Sequence, residues 1–173
     1  MKETGVVRRL DELGRVVIPK EIRKRLKINN GDMVDIFTND EKIVLQKYHP
    51  LNQDILPIKA LLDTLASENA CDLILFDDSI ILYSTDENLK SNDILSMDFV
   101  KRLDTYLDKE LSRRLNIEIV DNYVLNNDMY IQKIFINYEK YGYVCVVKDM
   151  ITKKQKDIIN MVINYLNVLL SDN

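Results

Sequence analysis

The stretch that decides the fold is Thr4-Gly5-Val6-Val7-Arg8-Arg9-Leu10-Asp11-Glu12-Leu13-Gly14-Arg15-Val16-Val17-Ile18-Pro19-Lys20-Glu21-Ile22-Arg23. Gly5–Leu10 reads as a strand, and Asp11–Gly14 as a turn in which Gly14 can take a positive φ that a side chain would resist. Arg15–Ile18 reads as a second strand stopped by Pro19. A proline there suits the first turn of a short helix through Leu26, with Ile22 and Leu26 on one face. Asn29-Asn30-Gly31-Asp32 ends that helix. A hairpin follows, from Met33–Phe37 through Thr38–Glu41 to Ile43–Tyr48. The boundary of this head lies near His49-Pro50-Leu51, because a proline disfavours helix at the residue before it and ends the strand.

A head of about fifty residues with one two-turn helix and four short strands buries too little apolar surface to offset its ordering entropy. It has no disulfide or metal to compensate. An intertwined dimer is the natural solution.

Residues 54–173 are long enough for a core of their own. Ile55, Ile58, Leu62, Leu65 and Ala66 recur at helical spacing over Asp54–Asn69, with Asp54 as N-cap. Strands Asp72–Phe76 and Ile80–Tyr83 flank an Asp77-Asp78-Ser79 turn. A helix near Asp98–Leu115, strands near Ile117–Leu125, Met129–Tyr138 and Tyr143–Lys148, and a final helix Thr152–Leu170 complete an α+β pattern with an antiparallel sheet. The final helix is apolar over a wide arc. One stripe can cover the sheet, and the excess implies pairing with the same helix of another subunit through Ile158, Val162, Tyr165, Leu166 and Leu169.

Charge is divided unevenly. The net charge is −4, yet residues 1–50 hold 11 basic against 8 acidic side chains and the rest 13 against 20. A basic head on an acidic body suggests that the head meets a polyanion. Arg8, Arg9, Arg15, Arg23 and Lys24, with Arg25 and Lys27, gather around the first hairpin and the short helix. Arginine's planar fork suits phosphate and guanine edges, and a two-fold dimer doubles the patch.

Other classes find little support. No apolar run approaches the length of a membrane span, and the first residues lack a secretory apolar segment, so a cytoplasmic protein is expected. Two cysteines, Cys71 and Cys145, lie in apolar strand-like runs and read as buried reduced thiols. The single histidine, His49, sits beside a proline with no evident partner. There is no Gly-rich phosphate loop, nucleophile elbow or zinc-type ligand set, so neither an enzyme nor a metal or cofactor is expected.

Residues 4–23, and without a gap the sequence through Asp32 and the hairpin to Tyr48, closely resemble the AbrB family of bacterial transition-state regulators. The resemblance implies a swapped-hairpin barrel in which strands of two chains interleave (residues 1–50), and binding to duplex DNA through Arg8, Arg15, Arg23 and the following basic residue, here Lys24. Asp11, Glu12 and Gly14 would shape the loop between the first two strands. The resemblance also implies reading of DNA shape and flexibility more than a strict base code, so these residues do not give the target sequence; AT-rich duplex DNA is the expected partner. The order and length of elements in residues 54–173 resemble the GAF-like domain of a sporulation regulator, which implies an oligomerisation module or a sensor for a small-molecule effector. A transcription regulator acting as a homodimer or homotetramer at the nucleoid follows. The alternative is an antitoxin with a similar head, bound to a toxin and to its own operator. Antitoxins typically wrap the toxin with an extended tail, whereas residues 54–173 carry periodic helices and strands.

Overall fold

The computed structural model describes residues 6–26, 28, 30–49, 51, 55–107, 110–111, 116–136 and 138–171. The N-cap reading of Asp54 and the basic residue Lys27 lie outside these. The chain divides into two compact units, Met1–Tyr48 and His49–Asn173.

In the head, Pro19 precedes α1 (Lys20–Arg25). The hairpin of β1 (Val34–Asn39) and β2 (Lys42–Lys47) pairs antiparallel from Val34↔Lys47 to Asn39↔Lys42. Asp40 turns the corner at φ +52°, a conformation that Asp tolerates better than most residues. The ladder extends by one bond, from the Tyr48 N–H to the Met33 carbonyl at 2.9 Å. Among the described residues, the strands expected at 5–10 and 15–18 form no ladder: residues 6–10 and 15–18 belong to no strand. Only the loop joining them closes, with the Asp11 N–H on the Arg15 carbonyl at 3.0 Å and the Gly14 N–H on the Asp11 carbonyl at 2.9 Å. A strand needs a partner edge, and among the described head residues β1 and β2 pair with each other. Among the described head residues only Pro19 and Ile28 are buried.

The body centres on a five-stranded antiparallel sheet in the order β4-β3-β9-β8-β5. Its strands are β3 (Asp72–Phe76), β4 (Ile81–Ser84), β5 (Glu110–Leu111), β8 (Asp128–Ile136) and β9 (Glu139–Lys148). Alternate residues serve two cores. Leu73, Leu75, Val144 and Val146 pack with α2 (Ile55–Asn69) and α4 (Lys153–Ser171). Ile74, Phe76, Cys145 and Val147 pack on the other face with Phe99 and Leu103 of α3 (Met97–Tyr106) and Ile119 of a small hairpin, β6 (Glu118–Val120) and β7 (Tyr123–Val124). Because helices cover both faces, the central strands β3 and β9 read as continuous apolar runs rather than alternating ones.

Side chains fix the helix ends. Ser96 caps α3, its Oγ accepting from the Phe99 N–H at 3.1 Å and donating to the Glu118 carbonyl at 2.7 Å. Gln155 reaches back from the first turn of α4 to accept from the Thr152 N–H at 3.1 Å, a capping-box bond.

Helix α3 ends at Tyr106 rather than near Leu115. Leu107 turns extended and bridges Ile131, and Leu111 pairs with Met129 as part of β5. The apolar spacing of Leu103, Leu107 and Leu111 suits a helix. However, the open edge of β8 offers unpaired backbone groups, and capturing them overrides the periodicity.

Candidate nucleic-acid interface

The head's basic side chains face solvent. Arg8, Arg9, Arg15, Lys24 and Arg25 are exposed, and Arg23 is half-buried. Arg23 is anchored by its Nη1, which donates to Asn30 Oδ1 at 2.9 Å. Its backbone carbonyl accepts from the Ile28 N–H at 2.8 Å, closing the end of α1. The sequence marked Asn29-Asn30-Gly31 only as a helix stop, so the tie between Asn30 and Arg23 emerges from the fold. Asn30 lies beyond the end of α1 at Arg25, so helical spacing does not predict that the two side chains meet.

Arg15 is held more tightly. Asp11 Oδ2 accepts from Arg15 Nε at 2.7 Å, while Asp11 Oδ1 accepts from the N–H groups of Leu13 at 3.0 Å and Arg15 at 2.8 Å. The backbone bond from Arg15, and then its guanidinium, hold the Asp11 carboxyl below the usual aspartate value. Gly14 completes the loop at φ +75°. Glu12 is exposed at its tip.

Beside these cations lies an apolar groove of about 290 Å³, lined by Val6, Val16, Ile18, Ile22, Leu26 and Leu45, with Arg8 among its wall residues. The head also exposes Val7 (92%), Val17 (77%), Leu10, Leu13, Ile36 and Ile43. So much exposed apolar surface is out of keeping with an isolated soluble unit of this size.

On α4 the residues of the expected oligomerisation set divide between buried and half-buried positions. Ile158, Val162 and Leu166 are buried in the body's own core, and Tyr165 and Leu169 pack partly against it. The outward apolar positions are instead Met161 (55%) and Val168 (69%). With Tyr165 between them at helical spacing they form a second stripe. The arc is wide, as expected, but its inner part is used within the chain.

No group of three His, Cys, Asp or Glu side chains suited to a metal occurs among the described residues. Cys145 is buried and Cys71 half-buried, and burial pushes both thiols up in pKa. No helix is long and apolar enough to cross a membrane among the described residues. At one end of the body sheet a polar cleft of about 460 Å³ is lined by Asp63, Ser67, Asp72, Thr85, Asn127 and Lys148. Burial raises the Asp72 carboxyl, opposed by the Thr85 hydroxyl that donates to it at 3.2 Å.

Comparison with known proteins bears on the head. Residues 7–52 match the family described as antidote-toxin recognition MazE, bacterial antitoxin. The chain is 56% identical over 54 residues to stage V sporulation protein T of Bacillus subtilis (strain 168), covering 31% of this chain and 30% of that protein. It is 58% identical over 50 residues to the transition state regulatory protein AbrB of the same organism, covering 29% of this chain and 52% of the relative. The matched stretch thus spans 30% of one relative's length and 52% of the other's. A solution structure of the N-terminal DNA recognition domain of the Bacillus subtilis regulator AbrB is 58% identical, covering 29% of this chain and 94% of that domain, with a TM-score of 0.25. The kinship therefore rests on sequence identity and not on superposition. The C-terminal part is not covered by these matches. The head of this chain therefore matches a MazE/AbrB-type N-terminal domain over residues 7–52, at 56–58% identity to the two regulators.

Proposed function

We propose that the chain is a DNA-binding transcription regulator that acts on AT-rich duplex DNA as a homodimer or homotetramer in the cytoplasm, at transition-state or sporulation genes. One observation carries the reading: the head is 58% identical over 50 residues to a transition state regulatory protein, and 56% identical over 54 residues to a sporulation protein. The exposed arginines supply the chemistry, with Arg8, Arg9, Arg15, Arg23 and Lys24 as the contact set and Asp11, Glu12 and Gly14 shaping the loop that carries Arg15. Residues 6–10 and 15–18, unpaired within the chain, are the strands that a second copy would complete, and its apolar side chains would fill the groove beside Pro19. This is the swapped-hairpin barrel expected for residues 1–50. Residues 54–173 then form a GAF-like domain that couples subunits or senses an effector. An antiparallel five-stranded sheet with helices on both faces supports that reading. For subunit coupling the outward stripe Met161, Tyr165 and Val168 is the better candidate surface.

The matching family model is described as an antitoxin, which favours a toxin-binding alternative. Against it, residues 49–173 form a compact unit with two cores, whereas a toxin-wrapping tail gains its order only on binding.

The test is titration of a fluorescent AT-rich duplex with wild type and Arg15→Ala at two salt concentrations. A paired patch making about 6–10 phosphate contacts loses about 10³–10⁵-fold in affinity between about 50 and about 200 mM salt. Steep salt dependence with weaker binding by Arg15→Ala is the expected result. Flat binding, or equal binding by both proteins, overturns the reading and directs attention to a protein partner.

A further inference from the structure

We propose that Asp11 is a positioning residue that makes Arg15 a guanine-reading side chain, so that the loop Asp11–Arg15 supplies base discrimination while the remaining cations supply attraction to the backbone. The inference rests on the DNA-binding reading above and adds to it a division of labour.

The geometry is that of a braced arginine. Asp11 Oδ1 takes the N–H groups of Leu13 and Arg15 and so fixes the loop, and Oδ2 takes Arg15 Nε at 2.7 Å. With Nε occupied, the planar guanidinium presents its two Nη groups as a fork. Such a fork matches O6 and N7 on the major-groove edge of guanine. Bracing removes much of the rotamer freedom that a long exposed side chain otherwise loses on binding.

The same fork could grip a phosphate, but the loop's charge argues for the base. Asp11 neutralises Arg15, and Glu12 is exposed beside them, leaving two carboxylates against one guanidinium in the segment. A phosphate-gripping loop gains from net positive charge, which this one lacks. Leu13, 74% exposed at the tip, suits a thymine methyl or the wall of a groove better than a phosphate. By contrast, Arg8, Arg9 and Lys24 are exposed and make no ion pair with a carboxylate among the described residues. They suit the sequence-independent role.

Asp11→Asn separates orientation from loop closure. Asparagine keeps Oδ1 as acceptor for the two N–H groups but sets an NH₂ group against Arg15 Nε, so the brace is lost and a negative charge with it. Duplexes selected from a randomised pool by the wild-type full chain provide the probe. Titrations then compare guanine with 7-deazaguanine, which lacks the N7 acceptor, at each enriched guanine. Wild type should lose about tenfold or more at one such position. Asp11→Asn should bind both duplexes alike, with a salt dependence at least as steep as that of the wild type. Arg15→Lys, which keeps the charge but not the fork, should also lose discrimination while retaining salt-dependent binding, and it decides the question if Asp11→Asn does not fold. Indifference of the wild type to the replacement at every enriched guanine overturns the proposal, as does full discrimination by a folded Asp11→Asn. In both cases salt-dependent binding by the wild type would leave the DNA-binding reading standing. A wild type that retains no duplex defeats both.

Discussion

Gly142 is held as glycine by both its backbone conformation and its packing. It lies in β9 at φ +147°, and a Cβ there would stand 2.6 Å from the Phe76 carbonyl oxygen. The neighbouring Tyr143 stacks on Phe76 with ring centroids 5.2 Å apart, so the two strands cannot separate without opening the core. Gly142→Ala should destabilise the body by about 1–3 kcal/mol through backbone strain alone, read as a lower urea midpoint. Tyrosines offer a second test at this scale. Burial, and then the neighbouring carboxylates Asp63 and Asp86, push Tyr83 and Tyr123 up to about 12. Burial and Asp78 raise Tyr143 further. A tyrosine with a raised folded pKa contributes stability that is complete below its ordinary value near 10 and fades as pH climbs through the folded value. Ultraviolet titration should therefore show a late-ionising group among the nine tyrosines, with the body losing stability between about pH 10 and about pH 12. Normal titration of all nine would contradict these contacts.

Among the elements, α4 shows how one helix can present two apolar stripes. Its inner stripe of Ile158, Ile159, Val162 and Leu166 is buried, and burial of a side chain of this size contributes about 1.5–3 kcal/mol. Its outer stripe leaves Met161 and Val168 in solvent. A charge on the outer stripe touches no core, so Val168→Lys should keep the unfolding midpoint within about 0.5 kcal/mol. If this stripe pairs subunits, the same variant should shift sedimentation toward a smaller species. An unchanged sedimentation coefficient would mean that assembly uses the head alone. At the other end of the scale, α1 is only six residues long and buries none of them, too short to persist by its own propensity. It depends on what packs against it.

For the whole molecule, the contrast between units is the central point. The body encloses two cores, one on each side of its sheet, while the described head buries only Pro19 and Ile28. If a second copy completes the head, folding of the two units should respond differently to dilution. The head's unfolding transition should shift to lower denaturant as protein concentration falls, by mass action. The body's transition should move less, because its main cores lie within one chain. Amide exchange across a hundredfold dilution would check this, and protection of residues 6–18 independent of concentration would count against strand exchange.

The sequence by itself was enough to identify the head, because glycine, proline and arginine at fixed spacing record backbone and charge requirements that few other folds share. It also placed most body elements: β3, the Asp77–Ser79 turn, β9 and α4 are legible because apolar runs and helical spacing report burial directly. Two features were not legible for one shared reason, which is that both depend on partners distant along the chain. Leu107 and Leu111 have helical spacing, and only the open edge of β8 draws them into the sheet. Ile158 and Met161 are alike in composition and lie on one helix, and only the packed sheet decides which is core and which is surface. The Asp11 brace falls between these cases. Its loop was readable from local residue types, but the grip of the carboxylate on Arg15 Nε is a matter of ångströms that the tertiary structure alone decided.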